Sequence, residues 1–303
     1  MGRLNRILKD PKRIIYYLKW KGLFDYLPDE KYLKRFYKLK FGKELDLENP
    51  KTFNEKLQWL KLYDTKPEYT NMVCKYEAKN FIAEKLDSSY VVPTIGLWDR
   101  IEDVDFDALP DQFVLKCTHD SGGVVVCKDK FKLDIKKAKK MLGSRLKRSY
   151  YLHERGWPYK NIKPRIIAEE YLAALGDEGL VEYKLFCFGG KVKIVLVCKG
   201  TAHAAGRTND FMDRDFNRIP VKSLNPTSET DPERPKELEK LIEIAEILSE
   251  GVPELRVDTY IVDGRIYVGE MTFFHNSGMC KFEPEEWDYK FGEWITLPEK
   301  KEN

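Results

Sequence analysis

The stretch Arg256-Val-Asp-Thr-Tyr-Ile-Val-Asp-Gly-Arg-Ile-Tyr-Val-Gly-Glu-Met-Thr-Phe-Phe-His-Asn-Ser-Gly278 decides how this chain is read. Two runs of alternating apolar residues, Val257 to Val262 and Arg265 to Met271, flank Asp263-Gly264. Asp-Gly between two such runs is the strongest short signal for a two-residue hairpin, because both central residues of its turn need positive φ. Pairing then sets Asp258 roughly opposite Glu270 and Met271, so two carboxylates and the Thr272 hydroxyl converge at one end of a sheet. Carboxylates tolerate such closeness only when one is protonated or a cation bridges them, and hard oxygen donors suit Mg²⁺ better than zinc. Arg256 and the loop Asn276-Ser277-Gly278 add cationic and backbone donors beside them. A surface hairpin with solvated acids is the competing reading.

With 303 residues the chain is long enough for a large core and for one big domain or two to three lobes. Its 53 Lys and Arg nearly balance 50 Asp and Glu, which argues against disorder and against a polyanion-binding protein. The cysteines at 74, 117, 127, 187, 198 and 280 stand singly, as buried thiols of a reducing compartment do; neither a disulfide framework nor a zinc site is expected. Neither a membrane span nor a secretory leader is expected, which points to the cytoplasm. Residues 1–24 carry seven Lys and Arg against one acid, Asp10, interleaved with Leu, Ile, Tyr and Trp. Such a segment suits a helix lying on an anionic membrane surface, or an amphipathic helix docked on the core with its basic face in water. The basic excess ends by about residue 40, so no nucleic acid is expected as a partner.

Along the chain, Thr52 and Glu55 fit a capping box, followed by Phe53, Leu57 and Leu60 at helical spacing. Lys75 to Leu86 reads as an amphipathic helix burying Ala78, Phe81, Ile82 and Leu86, and Val91-Val92-Pro93 as a short strand. In Phe113 to Cys127, a strand with Lys116 at its middle leads to a Gly-containing loop and a second apolar strand. There Lys116 would supply a cation, and Ser121, Gly122 and Gly123 would let backbone N–H groups approach phosphate oxygens; a ligand-free Gly-Gly hairpin reads the same way. His119 reads as a loop residue. Ile135, Ala138, Met141 or Leu142, and Leu146 mark a further helix. Pro164 to Leu172 is a strand ending in Glu169 and Glu170, which alternation sends to opposite faces. Val181 to Phe188 and Val192 to Val197 form a hairpin around Gly189-Gly190, with Lys184 on the first strand. Gly200 to Arg234 is polar and reads as an irregular functional or mobile loop, and Leu238 to Leu248 as a helix.

In this order the motifs resemble the ATP-grasp fold, and from about Lys75 onward they resemble D-alanine–D-alanine ligases. That resemblance implies phosphate-binding lysines at Lys75 and Lys116 and an adenine-reading hinge at Glu169-Glu170-Tyr171-Leu172. It further implies a γ-phosphate arginine at Arg256, magnesium carboxylates at Asp258 and Glu270, and a small-residue loop at Ser277-Gly278-Met279. A more specific resemblance rests on Asn49-Pro-Lys-Thr-Phe-Asn-Glu-Lys-Leu-Gln-Trp-Leu60, Phe113 to Gly123 and Gly269-Glu-Met-Thr272, which are similar to the TupA-like ATP-grasp family of bacterial surface-polysaccharide gene clusters. Thr272 stands where such ligases usually have Asn, and Cys74 where an Asp often precedes the first lysine.

The resemblance implies ATP with Mg²⁺, or Mn²⁺ in its place, and a ligase joining a carboxylate to an amine through an acylphosphate. Lys184 would assist the other two lysines, and Arg256 and the Gly278 N–H would serve as oxyanion donors. A uronic-acid-type polysaccharide or sugar carboxylate and an amine donor would be the substrates, met at the inner membrane face through residues 1–24. The implied architecture is α+β: a helical basic region at 1–70, the start of the ATP-grasp core at 71–109, a flap lobe at 110–165 and a C-terminal antiparallel-sheet lobe at 166–303. Specificity would lie between Thr201 and Lys222, where His203, Arg207, Asn209 and Asp213 stand, unless that loop is merely solvated. Two readings remain beside the ligase. One is a glycosyltransferase or phosphotransferase, whose formal D-x-D matches would be Asp103 to Asp107 and Asp213 to Asp215; the other is a non-catalytic binding module.

Overall fold

The computed structural model describes residues 11–172, 180–200 and 206–300, and their strands fall into two antiparallel sheets. The smaller has the order β1 (Thr94–Trp98), β4 (Ile166–Glu170), β2 (Phe113–Cys117), β3 (Val124–Cys127). The larger has the order β7 (Thr208–Asp213), β6 (Lys191–Lys199), β5 (Glu182–Phe188), β8 (Glu254–Val262), β9 (Arg265–Thr272). Asp263 and Gly264 take φ of 51° and 73°, as a type I′ turn requires, and the expected hairpin forms with Asp258 paired to Glu270. A bulge between Asp258 and Thr259 shifts the register of the rest of the ladder.

Helices α1 (Pro11–Trp20), α2 (Asp29–Phe41) and α3 (Phe53–Tyr63) precede the sheets, followed by α4 (Glu68–Val73) and α5 (Glu77–Lys85). Thr52 and Glu55 close the expected capping box at the start of α3. In the smaller sheet's lobe, α6 (Ile135–Leu146) buries Ala138 and Leu142, with Leu142 in a core that includes Phe113, Leu115 and Ile166, and the short α7 (Tyr150–Glu154) follows. The larger sheet is covered by α8 (Leu238–Leu248), whose Leu238, Leu241, Ile242, Ile244, Ala245 and Leu248 are all buried. Helix α9 (Glu286–Glu293) packs on α3. All six cysteines are buried and free.

Two expectations are corrected. Val91 makes only an isolated bridge to Val268, and the strand begins at Thr94, because Pro93 has no N–H to give to a ladder. Within the stretch read as irregular, Thr208 to Asp213 forms the edge strand β7. Its composition hides it, since Asp210 is fully buried yet satisfied by Arg218 at 3.1 Å and by the Ser228 N–H and hydroxyl at 3.0 and 2.9 Å. No helix among the described residues is long and apolar enough to cross a membrane.

Candidate active site

Side-chain alternation along three adjacent strands builds the centre of the site. Lys184 on β5 pairs in register with Asp258 on β8, and Asp258 with Glu270 on β9; Arg256 and Thr272 form the next row on the same face. Arg256 grips Asp258 with both arms of its fork, Nε donating to Oδ1 at 2.5 Å and one terminal nitrogen to Oδ2 at 2.8 Å. That terminal nitrogen also reaches Thr272 Oγ1 at 3.0 Å and Glu270 Oε1 at 3.3 Å. The other donates to His275 Nδ1 at 2.8 Å. Lys184 bonds Asp258 and lies 3.2 Å from Glu182. Lys75 approaches Glu270 Oε2 at 3.7 Å and donates to the Asp120 carbonyl at 2.7 Å, which ties the helix region to the β2–β3 loop.

This packing of charge sets the protonation states. Burial pushes the Glu270 carboxyl up, but the combined fields of Lys75, Arg256, Lys184 and Lys116 override it and hold Glu270 down to about 2. Burial likewise pushes Asp258 up, against the pull of Arg256 and Lys184. Burial, with Arg256 and Lys184 beside it, holds His275 well below the usual imidazole range. A neutral His275 that accepts from Arg256 at Nδ1 carries its proton on Nε2, 2.8 Å from the Asn276 side-chain amide, which accepts that proton only with its oxygen turned toward the ring.

The donor set fits a hard divalent cation with nucleotide phosphates as co-ligands. Asp258 and Glu270 present carboxylate oxygens from directly paired positions. Among the described residues no group of three or more His, Cys, Asp or Glu side chains is arranged to hold a metal by itself. Mg²⁺ ordinarily takes one or two carboxylates and completes its octahedron from phosphate oxygens and water, so a two-carboxylate site is what an ATP-bound ion needs. Both Asp258 oxygens are held by Arg256 and Lys184, whereas Glu270 is partly exposed.

The other sequence-predicted residues form a second cluster. Lys116 on β2 bonds Glu169 on β4, and Lys79 of α5 holds the second oxygen of Glu169 at 2.7 Å. As alternation required, Glu169 is buried and Glu170 exposed; Tyr171 and Leu172 are half-buried at the strand's exit. Burial would raise the Glu169 carboxyl, but Lys116 and Lys79 keep it below the usual range. Glu169 is therefore a counter-ion to two lysines. In the β2–β3 loop Ser121 and Gly122 are exposed, and Arg145 of α6 ties the loop down through Asp120 at 3.0 Å and the Ser121 carbonyl at 3.3 Å. Replacing Lys116 with Met removes a charge-assisted contact worth about 1.5–3 kcal/mol, and ATP affinity is expected to fall roughly 10- to 100-fold. Calorimetric titration with MgATP checks this, and an unchanged Kd would move the phosphate site elsewhere.

Beyond β9 the chain turns through a run of left-handed residues, with φ of 63° at Phe274, 47° at Asn276 and 58° at Ser277. One buried polar stripe of α3 grips this loop. Asn54 exchanges hydrogen bonds with the Cys280 backbone at 2.8 and 2.9 Å, and Gln58 donates to the Ser277 and Gly278 carbonyls at 3.0 and 2.7 Å. Lys61 donates to Ser277 as well. Gly278 is buried against α3, where a Cβ would stand 2.3 Å from Gln58 Nε2.

Glu254 of β8 steadies the start of the loop, accepting from the Phe274 N–H at 3.4 Å, while its Oε1 has no partner. Burial pushes the Glu254 carboxyl up to about 8. Its unfolded value is about 4.3, so the stability it contributes is fully present below that pH and is lost as pH rises through 8. Glu254→Gln stays neutral throughout, so it is expected to melt near wild type at pH 5 and above it at pH 9. Melting curves across that range check this, and parallel pH profiles would show Glu254 to be ionised in the fold.

Several of these residues escaped the sequence reading. Glu182 accepts from Arg207 and from Tyr260 at 2.9 Å, and Lys79, His275 and the α3 stripe join contacts between distant segments. Only Asn54 and Gln58 had a signal, as uncharged polar residues beside the apolar Phe53, Leu57 and Leu60 of a capped helix. Arg207 reaches the site through Glu182, and Asn209 is buried on β7; Asp213 accepts from the Asn217 backbone in a turn, and His203 lies outside the described residues. Asp105 likewise caps a turn, accepting from the Asp107 N–H at 2.9 Å.

The family model for TupA-like ATP-grasp proteins matches residues 55–296. Among solved structures, the D-alanine–D-alanine ligase from Bacillus anthracis complexed with ATP is similar at 17% identity, over 66% of this chain and 55% of that one, with a TM-score of 0.39. Another structure of this ligase is similar at 18% identity, over 79% and 67%, with a TM-score of 0.42. The D-cycloserine synthetase DcsG is similar at 16% identity, over 74% and 69%, also with a TM-score of 0.42. The chain thus spans 55% to 69% of the lengths of these solved proteins. No curated protein matches its sequence. Matched over most of its length, the chain belongs to the TupA-like ATP-grasp family.

Proposed function

We propose that the chain is an ATP- and Mg²⁺-dependent carboxylate–amine ligase that works through an acylphosphate in the assembly or modification of a bacterial surface polysaccharide. The observation that carries this reading is the convergence of Arg256, Lys184 and Lys75 on Asp258 and Glu270. In this reading a substrate carboxylate, of the uronic-acid type, attacks the γ-phosphorus of ATP and ADP leaves. An amine then attacks the acyl carbon and phosphate leaves. Lys75, Lys116 and Lys184 neutralise phosphate charge, and Arg256 with the Gly278 N–H stabilises the oxyanion. Asp258 and Glu270, with Thr272 beside them, would hold Mg²⁺ or Mn²⁺, which when bound supplies Lewis-acid neutralisation of phosphate oxygens. The hinge Glu169 to Leu172 would border the adenine.

The test is nucleotide-dependent thermal stabilisation, since a ligand that binds only the folded chain raises its melting temperature. A shift with ATP that requires Mg²⁺, and none with UDP-sugars, is expected. A shift with UDP-sugars alone would replace this reading by a glycosyltransferase.

The same proposal includes docking on the inner face of the cell membrane. It is supported by exposed Tyr17, Trp20 and Leu23 along and just after α1, within the basic N-terminal segment, and by exposed Tyr26 just beyond it. Interfacial aromatics beside basic residues suit an anionic lipid surface. The protein is expected to sediment with phosphatidylglycerol vesicles and not with phosphatidylcholine vesicles, and Trp20→Glu with Leu23→Glu should abolish this. Equal recovery with both lipids would refute it.

A further inference from the structure

Lys61 of α3 takes no part in the phosphate chemistry, yet it is the most elaborately held lysine near the loop beyond β9. It is 3% exposed, and its Nζ contacts Ser277 Oγ at 2.7 Å, the Ser277 carbonyl at 2.9 Å and the Glu154 carbonyl at 2.9 Å. Two of these partners can only accept, whereas the third is a hydroxyl that can also donate. As an ammonium Lys61 gives all three bonds and the Ser277 hydroxyl donates to the Glu154 carbonyl at 3.3 Å; a neutral amine keeps its two N–H bonds to the carbonyls and takes the third as an O–H bond on its lone pair once that hydroxyl turns to it. Ser277 is half-buried on the loop that His275 ties to Arg256.

The charges around Lys61 permit the neutral form. Burial pulls its ammonium down to about 7, Glu154 works against burial, and Lys19 of α1 works with it. Arg148, His153 and Arg155 complete the charged set around Lys19 and Glu154. The ligase chemistry leaves one proton to place, since an amine that attacks an acyl carbon must lose it or be expelled again.

We propose that Ser277 and Lys61 form a proton relay that accepts this proton. As the amine lone pair forms the C–N bond, the carbonyl π pair moves onto oxygen. The amine proton passes to Ser277 Oγ, and the Ser277 hydroxyl proton passes to Lys61 Nζ. The oxygen pair then re-forms the carbonyl as the C–O bond to phosphate breaks, phosphate leaves with that bonding pair, and Lys61 returns its proton to water. This inference rests on the ligase reading, and its first test does not.

In the full chain labelled with [¹³C,¹⁵N]lysine, NMR titration from pH 5 to 10 should show one lysine with a midpoint near 7, absent in Lys61→Arg. A Lys61 midpoint in the ordinary lysine range overturns the relay whatever the reaction. The second test uses D-glucuronate, MgATP and hydroxylamine, an amine already unprotonated at neutral pH. Hydroxamate formation by wild type should rise through pH 7. Ser277→Ala and Lys61→Arg should slow it by about 100-fold and lose the pH rise, with the MgATP thermal shift unchanged. Arginine makes the same carbonyl contacts but cannot accept a proton, so a Lys61→Arg enzyme with wild-type rate and pH profile would reduce Lys61 to packing. A midpoint near 7 with no hydroxamate from wild type would count against the ligase and not against Lys61 as a base.

Discussion

Glu270→Gln is expected to abolish Mg²⁺-dependent ATP turnover, by on the order of 10³-fold or more, while leaving the fold intact. The carboxylate is held at about 2 by four surrounding cations, so it is ionised at every working pH. The amide has nearly the same shape and can still accept from Arg256 and Thr272 at the positions Glu270 uses, 3.3 and 3.2 Å away. What it lacks is the charge that balances Lys75 and Arg256 and that a phosphate-bound Mg²⁺ requires. ADP formation at saturating MgATP and a thermal melt of the same sample separate the two effects. Full turnover in this variant would remove Glu270 from the metal site.

Gly278→Ala should lower stability by about 2–4 kcal/mol, which corresponds to a fall in Tm of roughly 3–6 °C for a chain of this size. Two causes add. The residue sits at φ 59°, and its new Cβ would lie 2.3 Å from Gln58 Nε2 and 2.9 Å from Leu57 Cβ. The Gln58 end can retreat and the Leu57 Cβ cannot, so the double variant Gln58→Ala, Gly278→Ala should recover part of the loss and not all of it. Because His275 links this loop to Arg256, turnover should fall further than stability alone explains. A variant that melts like wild type would show that α3 yields easily at this contact.

The hairpin of β8 and β9 was legible because every signal in it is local: a turn dipeptide that needs positive φ, two alternating runs, and acids whose pairing follows from the register. The hairpin of β5 and β6 and the helix α8 were legible for the same reason. Strand β7 was not, because its fully buried Asp210 is a polar residue whose partner Ser228 lies 18 positions away. The partners of Glu169 were out of reach for a related reason. Alternation sends Glu169 and Glu170 to opposite faces without saying which turns inward, and Lys79, the partner that fixes the charge of Glu169, lies on helix α5, 90 positions earlier in the chain. Periodicity reports which face a side chain takes; it carries no information about what waits there.

The hydrogen bonds from α3 to the loop beyond β9 join residues 216 to 226 positions apart. Contacts of that separation close very long loops and form late in folding. On the ribosome, α3 must therefore wait, with Asn54, Gln58 and Lys61 unsatisfied, until residues 277–280 have emerged. A nascent chain halted before residue 277 would hold Asp258 and Glu270 and still lack the seat for its loop, so chaperone occupancy during synthesis should persist until that loop has emerged.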